Sequence, residues 1–381
     1  MDPPTNSLPR VDLLPPLART REVLFTVDGE YIFDVAATPT TVAVSASNNQ
    51  IKLYDTQLNL LGALNGHINT ISSLHFNATD HNLLYSSSQD GTLCCWDLRT
   101  PAAPAHIWNA PNRQSFLSMH TSSGAFLIAG GTELSGSDAH VHFYDMRSPQ
   151  LAHSFSESFG DDVTQLAFHP TVPTRLLSGS TDGVACVFDL QGTWDEDDDL
   201  VGSMQSGSSV SKLGWFGPDG EYVWMTTHVE TVSLWTGEGD LLKDFGDVRQ
   251  FSTEEVPINY AVGCQYDPTS QRLYMLTGSH EGALSILHVT LNELQLCFSA
   301  GHAHGDVVRS AVLDFGSGHL ITGGEDSKLS MWRPSPTAVA VTPANIAEPA
   351  LPAITIPASN RGFRSPRDGK NGGKKTSPYA R

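Results

Sequence analysis

Basic residues are scarce in this chain. Its 381 residues include 22 Lys and Arg against 41 Asp and Glu, a formal net charge of −19. A surface that acidic repels phosphate backbones and anionic headgroups, so neither nucleic acid nor membrane is expected as the partner of the chain as a whole. Charged residues of both signs together reach only 17%, below the roughly 25% of an average soluble domain. No apolar run approaches the ~20 residues of a membrane-spanning helix. The first twenty residues carry five prolines and no apolar stretch of the signal-peptide kind, so no leader is expected. Five cysteines without regular spacing make no disulfide framework. A reducing, intracellular compartment is the natural expectation. What is plentiful is turn chemistry, with 33 Gly and 23 Pro, and apolar material for a large core, at 39%.

Internal repetition organises the rest. A turn-then-strand segment recurs seven times. Two clear copies are Ser-Ser-Ser-Gln-Asp-Gly-Thr-Leu-Cys-Cys-Trp-Asp, ending at Asp97, and Ser-Gly-Ser-Thr-Asp-Gly-Val-Ala-Cys-Val-Phe-Asp, ending at Asp189. The anchors are Tyr54, Trp96, Tyr144, Phe188, Trp235, Leu287 and Trp332, spaced 42, 48, 44, 47, 52 and 45 residues apart. Within a unit, short apolar runs are bounded by Gly, Asn, Asp and Ser, as strands joined by tight turns are. Asp90-Gly91 stands where a hairpin turn belongs. In the second unit Ile71, Leu74 and Phe76 follow Gly66-His67; Val163, Leu166 and Phe168 repeat that spacing in the fourth, and Val210, Leu213 and Trp215 in the fifth.

This period and these segments resemble the WD-repeat β-propeller family. The resemblance implies an all-β, seven-bladed propeller. It also implies a buried relay of four groups, since buried polar groups must be paired. In the second unit the matching residues are His67, Ser88, Asp90 and Trp96. In the seventh they are His304, Asp326 and Trp332, with Gly324 at the serine position and His302 as a competing histidine. Elsewhere the relay is degraded: Asn48 replaces the turn Asp in the first unit, Phe159 the His in the fourth, Val229 the Asp in the fifth, and Glu281 with Leu287 the Asp and Trp in the sixth. The order of the individual segments over residues 22–335 is similar to one branch of the family, whose members are described without catalysis and as nuclear.

Closure and the ends follow. After Trp332 the sequence Arg-Pro-Ser-Pro offers no further strand, whereas Glu22 to Val27 is strand-like and unassigned. It is expected to complete the last blade. The expected organisation is a Pro-rich disordered N-terminus over 1–20, the propeller over 21–333, and a disordered tail over 334–381, Pro-rich and then basic. The end of that tail carries Arg361, Arg364, Arg367, Lys370, Lys374 and Lys375, a candidate nuclear-localisation or polyanion-binding signal. The first 360 residues then hold 15 basic and 40 acidic residues, a net of −25. Basic protein segments are therefore the expected partners of the propeller; transport factors or nucleic acid suit the tail. No membrane partner is expected.

The sequence carries few patterns that point to catalysis. No nucleophile elbow is present. Gly373-Lys374-Lys375-Thr376 lacks the upstream glycine and the preceding strand of a phosphate-binding loop. Cys94 and Cys95 are adjacent and alternate into two strand faces. His140 and His142 share a face but have no further metal ligand nearby. The acidic run Asp195–Asp199 reads as a solvated connector, with docking of a basic segment as its alternative. No catalytic residue, metal or cofactor is expected. One pair stands out: Trp96-Asp97-Leu98-Arg99 and Tyr144-Asp145-Met146-Arg147 place Arg99 and Arg147 two residues after the Asp in consecutive units. This resembles the paired motif of propellers that act as substrate receptors of cullin-RING ubiquitin ligases, where the Arg contacts the adaptor. The leading expectation is a non-enzymatic protein-interaction scaffold in the nucleus, with a cytoplasmic pool allowed; the ligase receptor is the alternative.

Overall fold

The three-residue step from Ile71 to Leu74 does not fit the period of two of a flat strand. In the computed structural model, which describes residues 8–26, 29–191 and 194–335, the misfit is a β-bulge. It recurs in the first strand of all seven blades, at Ile32/Asp34, Ile71/Ser73, Phe116/Ser118, Val163/Gln165, Val210/Lys212, Ala261/Gly263 and Val308/Ser310. The extra residue returns the next apolar side chain to the buried face and sharpens the local twist.

Seven four-stranded antiparallel sheets result. The innermost strands are Ile32–Ala37, Ile71–Phe76, Phe116–Thr121, Val163–Phe168, Val210–Phe216, Tyr260–Asp267 and Val308–Asp314. They stand side by side around a central channel and are stitched together by hydroxyls. Ser72 Oγ donates to Phe116 O, Ser118 Oγ to Val163 O and Thr164 Oγ1 to Val210 O, each at 2.8 Å. The core is laminar, lying between the faces of neighbouring blades. Ala43, Ile51 and Leu64 of blade one meet Ile71, Leu84 and Trp96 of blade two, and Phe143 and Phe155 of blade three meet Leu166 and Phe188 of blade four. Each fully buried side chain of this size contributes about 1.5–3 kcal/mol. Cys94 and Cys95 point into two different layers, one toward blade one and one toward blade three.

Closure is by the N-terminus. Leu17–Leu24 is the outer strand of blade seven, antiparallel to Lys328–Pro334, with Leu17 opposite Pro334 and Leu24 opposite Lys328. The strand starts five residues before the expected Glu22 and ends before Val27, which lies outside the described residues. The expected disorder of residues 1–20 is corrected for residues 8–20. Val11 N donates to Leu296 O (2.9 Å) and Leu296 N to Pro9 O (2.8 Å), a short parallel bridge on the edge of blade six. Val11, Leu13 and Leu14 cover the layer between blades six and seven. Prolines suit this strap, because an extended edge segment needs few donors. The tail residues Arg361, Arg364, Arg367, Lys370, Lys374 and Lys375 lie outside the described residues.

Candidate interaction faces and channel

Within each blade, strands one and three run from an upper to a lower end and strands two and four run back. The upper face therefore carries the turns of His67 and Asp90, and the lower face those of Asp80 and Asp97.

On the upper side of blade two, His67 Nδ1 lies 3.0 Å from Asp90 Oδ2, His67 Nε2 2.7 Å from Ser86 Oγ, and Trp96 Nε1 donates to Ser86 Oγ at 2.8 Å. Trp96 Nε1 can only donate, so Ser86 Oγ accepts from the indole and joins it to the imidazole, whose Nδ1 faces the Asp90 carboxylate. Ser88, the expected hydroxyl, is not in this chain. It donates to Asn69 O (3.1 Å) and accepts from Asp90 N (3.1 Å). It sits beside the turn, two residues too far along to reach the indole. Burial pushes the Asp90 carboxyl up, but donors from His67, Thr92 and the Ile68 amide outweigh it and hold it down at about 2.

Blade seven repeats the circuit. His304 Nδ1 is 2.9 Å from Asp326 Oδ1 and Nε2 is 2.7 Å from Thr322 Oγ1, which accepts from Trp332 Nε1 at 3.1 Å. Thr322 supplies the hydroxyl that Gly324 lacks. His302 is exposed and takes no part. In blade four Phe159 fills the histidine site and packs against Phe188, with ring centroids 6.3 Å apart. Asp182 still accepts from Gly160 N at 2.7 Å. These relays are buried and structural.

Arg99 and Arg147 are both on the lower face, where each folds back on its own motif. Arg99 Nε and Nη2 each donate at 2.7 Å to Asp97, and Arg147 Nε and Nη2 at 2.8 and 2.6 Å to Asp145. Both remain exposed, at 58% and 68%, so the pairs add little stability. Arg147 also lies over the Phe126 ring, 4.9 Å from its centroid. Asp247 and Arg249, with the same Asp-x-Arg spacing, form the same fork on the opposite face.

The acidic run is less free than its composition implies. Glu196–Asp199 is a single helical turn capped by Asp195. The Glu196 carboxylate turns inward to accept from the amides of Ser156 and Glu157 and from Ser158 Oγ. His140 and His142 stack with centroids 5.1 Å apart, and His142 Nδ1 is 2.9 Å from Ser154 Oγ. Among the described residues no group of three or more His, Cys, Asp or Glu is gathered in a metal-binding arrangement.

Two chambers open in the channel among the described residues, and neither is legible as a motif. The upper one, about 330 Å³, is polar and includes Asp34, Lys212 and Arg309. Asp34 accepts from Leu74 N (2.8 Å), Val35 N (2.9 Å) and Ser310 Oγ (3.1 Å), tying blades seven, one and two together. Enclosure by protein pushes this carboxyl up and the Lys212 ammonium down, and each partly offsets the other's shift. The lower chamber, about 610 Å³, has Phe168, Trp215, Trp224 and Tyr266 in its wall.

Seven meander blades, a strand-exchange closure and Asp–His–hydroxyl–Trp relays define a WD-repeat β-propeller. The family model described as WD domain, G-beta repeat matches residues 58–97 and 149–189, and the chain belongs to the WD-repeat family. It is 30% identical over 324 residues to the WD repeat-containing protein GTS1 of Arabidopsis thaliana, covering 80% of this chain and 81% of that one. It is 29% identical over 354 residues to the WD repeat-containing protein 89 homolog of Dictyostelium discoideum, covering 92% of each. A more partial match is the ribosome biogenesis protein YTM1 of Phaeosphaeria nodorum, 29% identical over 59% of this chain and 46% of that one.

Proposed function

We propose that this protein is a non-enzymatic scaffold that brings other proteins together in a nuclear complex, with a cytoplasmic pool during transit. The observation that carries this reading is a rigid ring of seven blades whose polar clusters are spent on holding the ring together, leaving its faces for binding. The acidity of the first 360 residues, net −25, favours basic protein segments as the propeller's partners. The basic residues Arg361, Arg364, Arg367, Lys370, Lys374 and Lys375 suit recognition by transport factors or contact with nucleic acid. A relative named for ribosome biogenesis fits a setting rich in basic proteins. The test is localisation of the tagged chain with and without residues 361–381, alongside identification of what co-purifies from each compartment. Nuclear signal lost with the tail supports the reading; unchanged localisation removes the tail's role.

A second reading is a substrate receptor of a cullin-RING ligase. It is favoured by the repetition of one Asp–Arg fork at the lower ends of two consecutive blades. Each fork leaves one guanidinium nitrogen, Nη1, for an adaptor. Loss of a cullin adaptor from the purified complex on Arg99→Ala with Arg147→Ala supports this reading. Absence of any adaptor from the wild-type complex eliminates it.

A further inference from the structure

The lower chamber differs from the rest of the channel in a way that suits a particular occupant. Its wall includes Phe168, Trp215, Trp224, Tyr266, Pro170 and Pro218, and it holds no Lys, Arg, Asp or Glu. An apolar concavity of that size is what binding sites for a few side chains have. The aromatics are held from behind. Trp215 Nε1 donates to Ala167 O at 2.9 Å. Gly214 permits the Trp224 ring to lie on the inner strand, since a Cβ there would stand 2.8 Å from its Nε1. Trp224, Leu213 and Gln165 line both chambers, so they form a waist below the polar one. His75 and His120 lie in the same wall with ring centroids 4.2 Å apart. Burial pushes His75 down to about 4 and His120 lower than its ordinary range, so neither adds charge at neutral pH.

The mouth has the opposite character. The inner lower loop of blade five, next to Pro218 and Gly220 of the wall, carries Asp219 and Glu221 and no Lys or Arg. Asp267 follows Tyr266 at the start of blade six's lower loop. Asp219 and Glu221 are exposed. Glu221 and Asp267 both act on Tyr266, whose phenol is pushed up to about 12, first by burial and then by these two carboxylates. The Tyr266 hydroxyl is sealed from solvent and has no hydrogen-bond partner among the described residues. Arg175 also acts on His169 in the wall, but it lies 3.9 Å from Asp189. An uncharged aromatic well with Asp219 and Glu221 exposed on the blade-five side of its rim is complementary to one sequence chemistry: an apolar side chain flanked by lysines or arginines. The apolar group gains by leaving water, and the flanking cations meet the rim, which also speeds encounter.

We infer that the lower mouth of the channel is a docking pocket for an extended segment of a partner protein, in which a bulky apolar residue enters the well and basic residues on either side meet the blade-five carboxylates. This rests on the scaffold reading and gives it an address.

The test uses the full-length protein and three synthetic octapeptides. One has Leu-Phe at its centre and two lysines at each end, the second replaces the lysines by glutamates, and the third replaces Leu-Phe by Ser-Ser. None contains tryptophan, so binding is read from the emission of the protein's own indoles, which include Trp215 and Trp224 in the well. The first peptide is expected to bind saturably and shift that emission, with at least tenfold weaker binding of each of the other two. Asp219→Lys is expected to weaken the first peptide about tenfold, and Ala78→Trp, on an exposed loop at the mouth, to abolish the emission change. Binding of the Ser-Ser peptide equal to that of the first, or indifference to both substitutions, overturns the pocket in favour of diffuse charge attraction. No binding of any peptide also overturns it. Affinity purification of wild type and Ala78→Trp separates the two levels. The same specific partners recovered by both sink the pocket and leave the scaffold standing, whereas no specific partner with either sinks the scaffold.

Discussion

Ser86 Oγ is the atom through which Trp96 and His67 are joined. Removing it leaves an indole N–H and an imidazole nitrogen buried without partners, each a desolvation cost of about 1–3 kcal/mol. Ser86→Ala is therefore expected to lower stability by about 2–4 kcal/mol in urea unfolding, with an unchanged slope, and Ser88→Ala by no more than about 1 kcal/mol. A larger loss at Ser88 would place the relay hydroxyl there after all. The two serines look alike in sequence because Ser86, Ser87 and Ser88 are consecutive and period two puts the first and third on one face. Only the distance to the indole separates them. The same ambiguity hid Thr322 behind Gly324. Asp90 supplies a pH signature. Its folded-state pKa of about 2 lies below the unfolded value, so the stabilisation is complete above about pH 4 and is lost as pH falls toward 2. Relative to Asp90→Asn, that part amounts to about 2 kcal/mol at pH 7 and about half as much at pH 3. A difference that stays constant over this range would show that Asp90 is not held as a carboxylate.

At the scale of the element, the strand that closes the ring joins residues more than three hundred positions apart. Seven residue pairs link Leu17–Leu24 to Lys328–Pro334, and Arg19 adds a bond to Ala303 O at 3.1 Å and lies over Trp332. Without this strand, blade seven exposes an unpaired edge and the ring loses the splice between its ends. Deletion of residues 1–28 is expected to replace a single cooperative unfolding transition by a broad one, and a deletion variant that melts like the full chain would refute the closure. Leu13→Asp with Leu14→Asp leaves the strand intact and isolates the strap on blade six. A loss of about 2–4 kcal/mol is expected if these side chains cover the core, and none if they merely trail along the surface. Seven blades and their closure were legible in the sequence because anchor residues recur in phase and a strand was left over at one end and missing at the other. The strap was not legible, since prolines and isolated leucines look the same in a loose terminus as in an ordered edge segment. The inward turn of Glu196 was not legible either, because a carboxylate run shows charge but not which member finds amides.

In the whole molecule, burial holds the imidazoles of His75 and His120 in the channel, and of His142 in the third strand of blade three, below their ordinary range, and this shapes the response to acid. The arrangement of charged upper chamber and apolar lower chamber is a property of seven strands brought into a ring. Asp34, Lys212 and Arg309 are far apart in sequence, as are Phe168, Trp215 and Tyr266, so no local pattern announces either chamber. His75 and His142 are pushed down to about 4 by burial, His142 also by His140, and His120 is depressed further by burial and by His75. A histidine whose folded pKa lies below its unfolded value keeps its full stabilisation above about pH 6.5. Below that, the unfolded chain takes up a proton that the folded one refuses, and stability falls until the folded pKa is reached. At pH 5 this amounts to at most about 2 kcal/mol for each of His75 and His142, and His120 acts in the same direction. His75 and His120 face the channel, where solvent screens part of the effect. The propeller is thus expected to lose several kcal/mol between pH 7 and pH 5, before any of its depressed carboxylates titrates, and its melting temperature should fall over that interval. His142→Gln, which cannot be protonated, is expected to be less stable than wild type at pH 7 and to lose less on acidification. A melting temperature flat from pH 7 to pH 5 would mean that these imidazoles protonate in the folded ring, and the uncharged character of the lower well would fall with it.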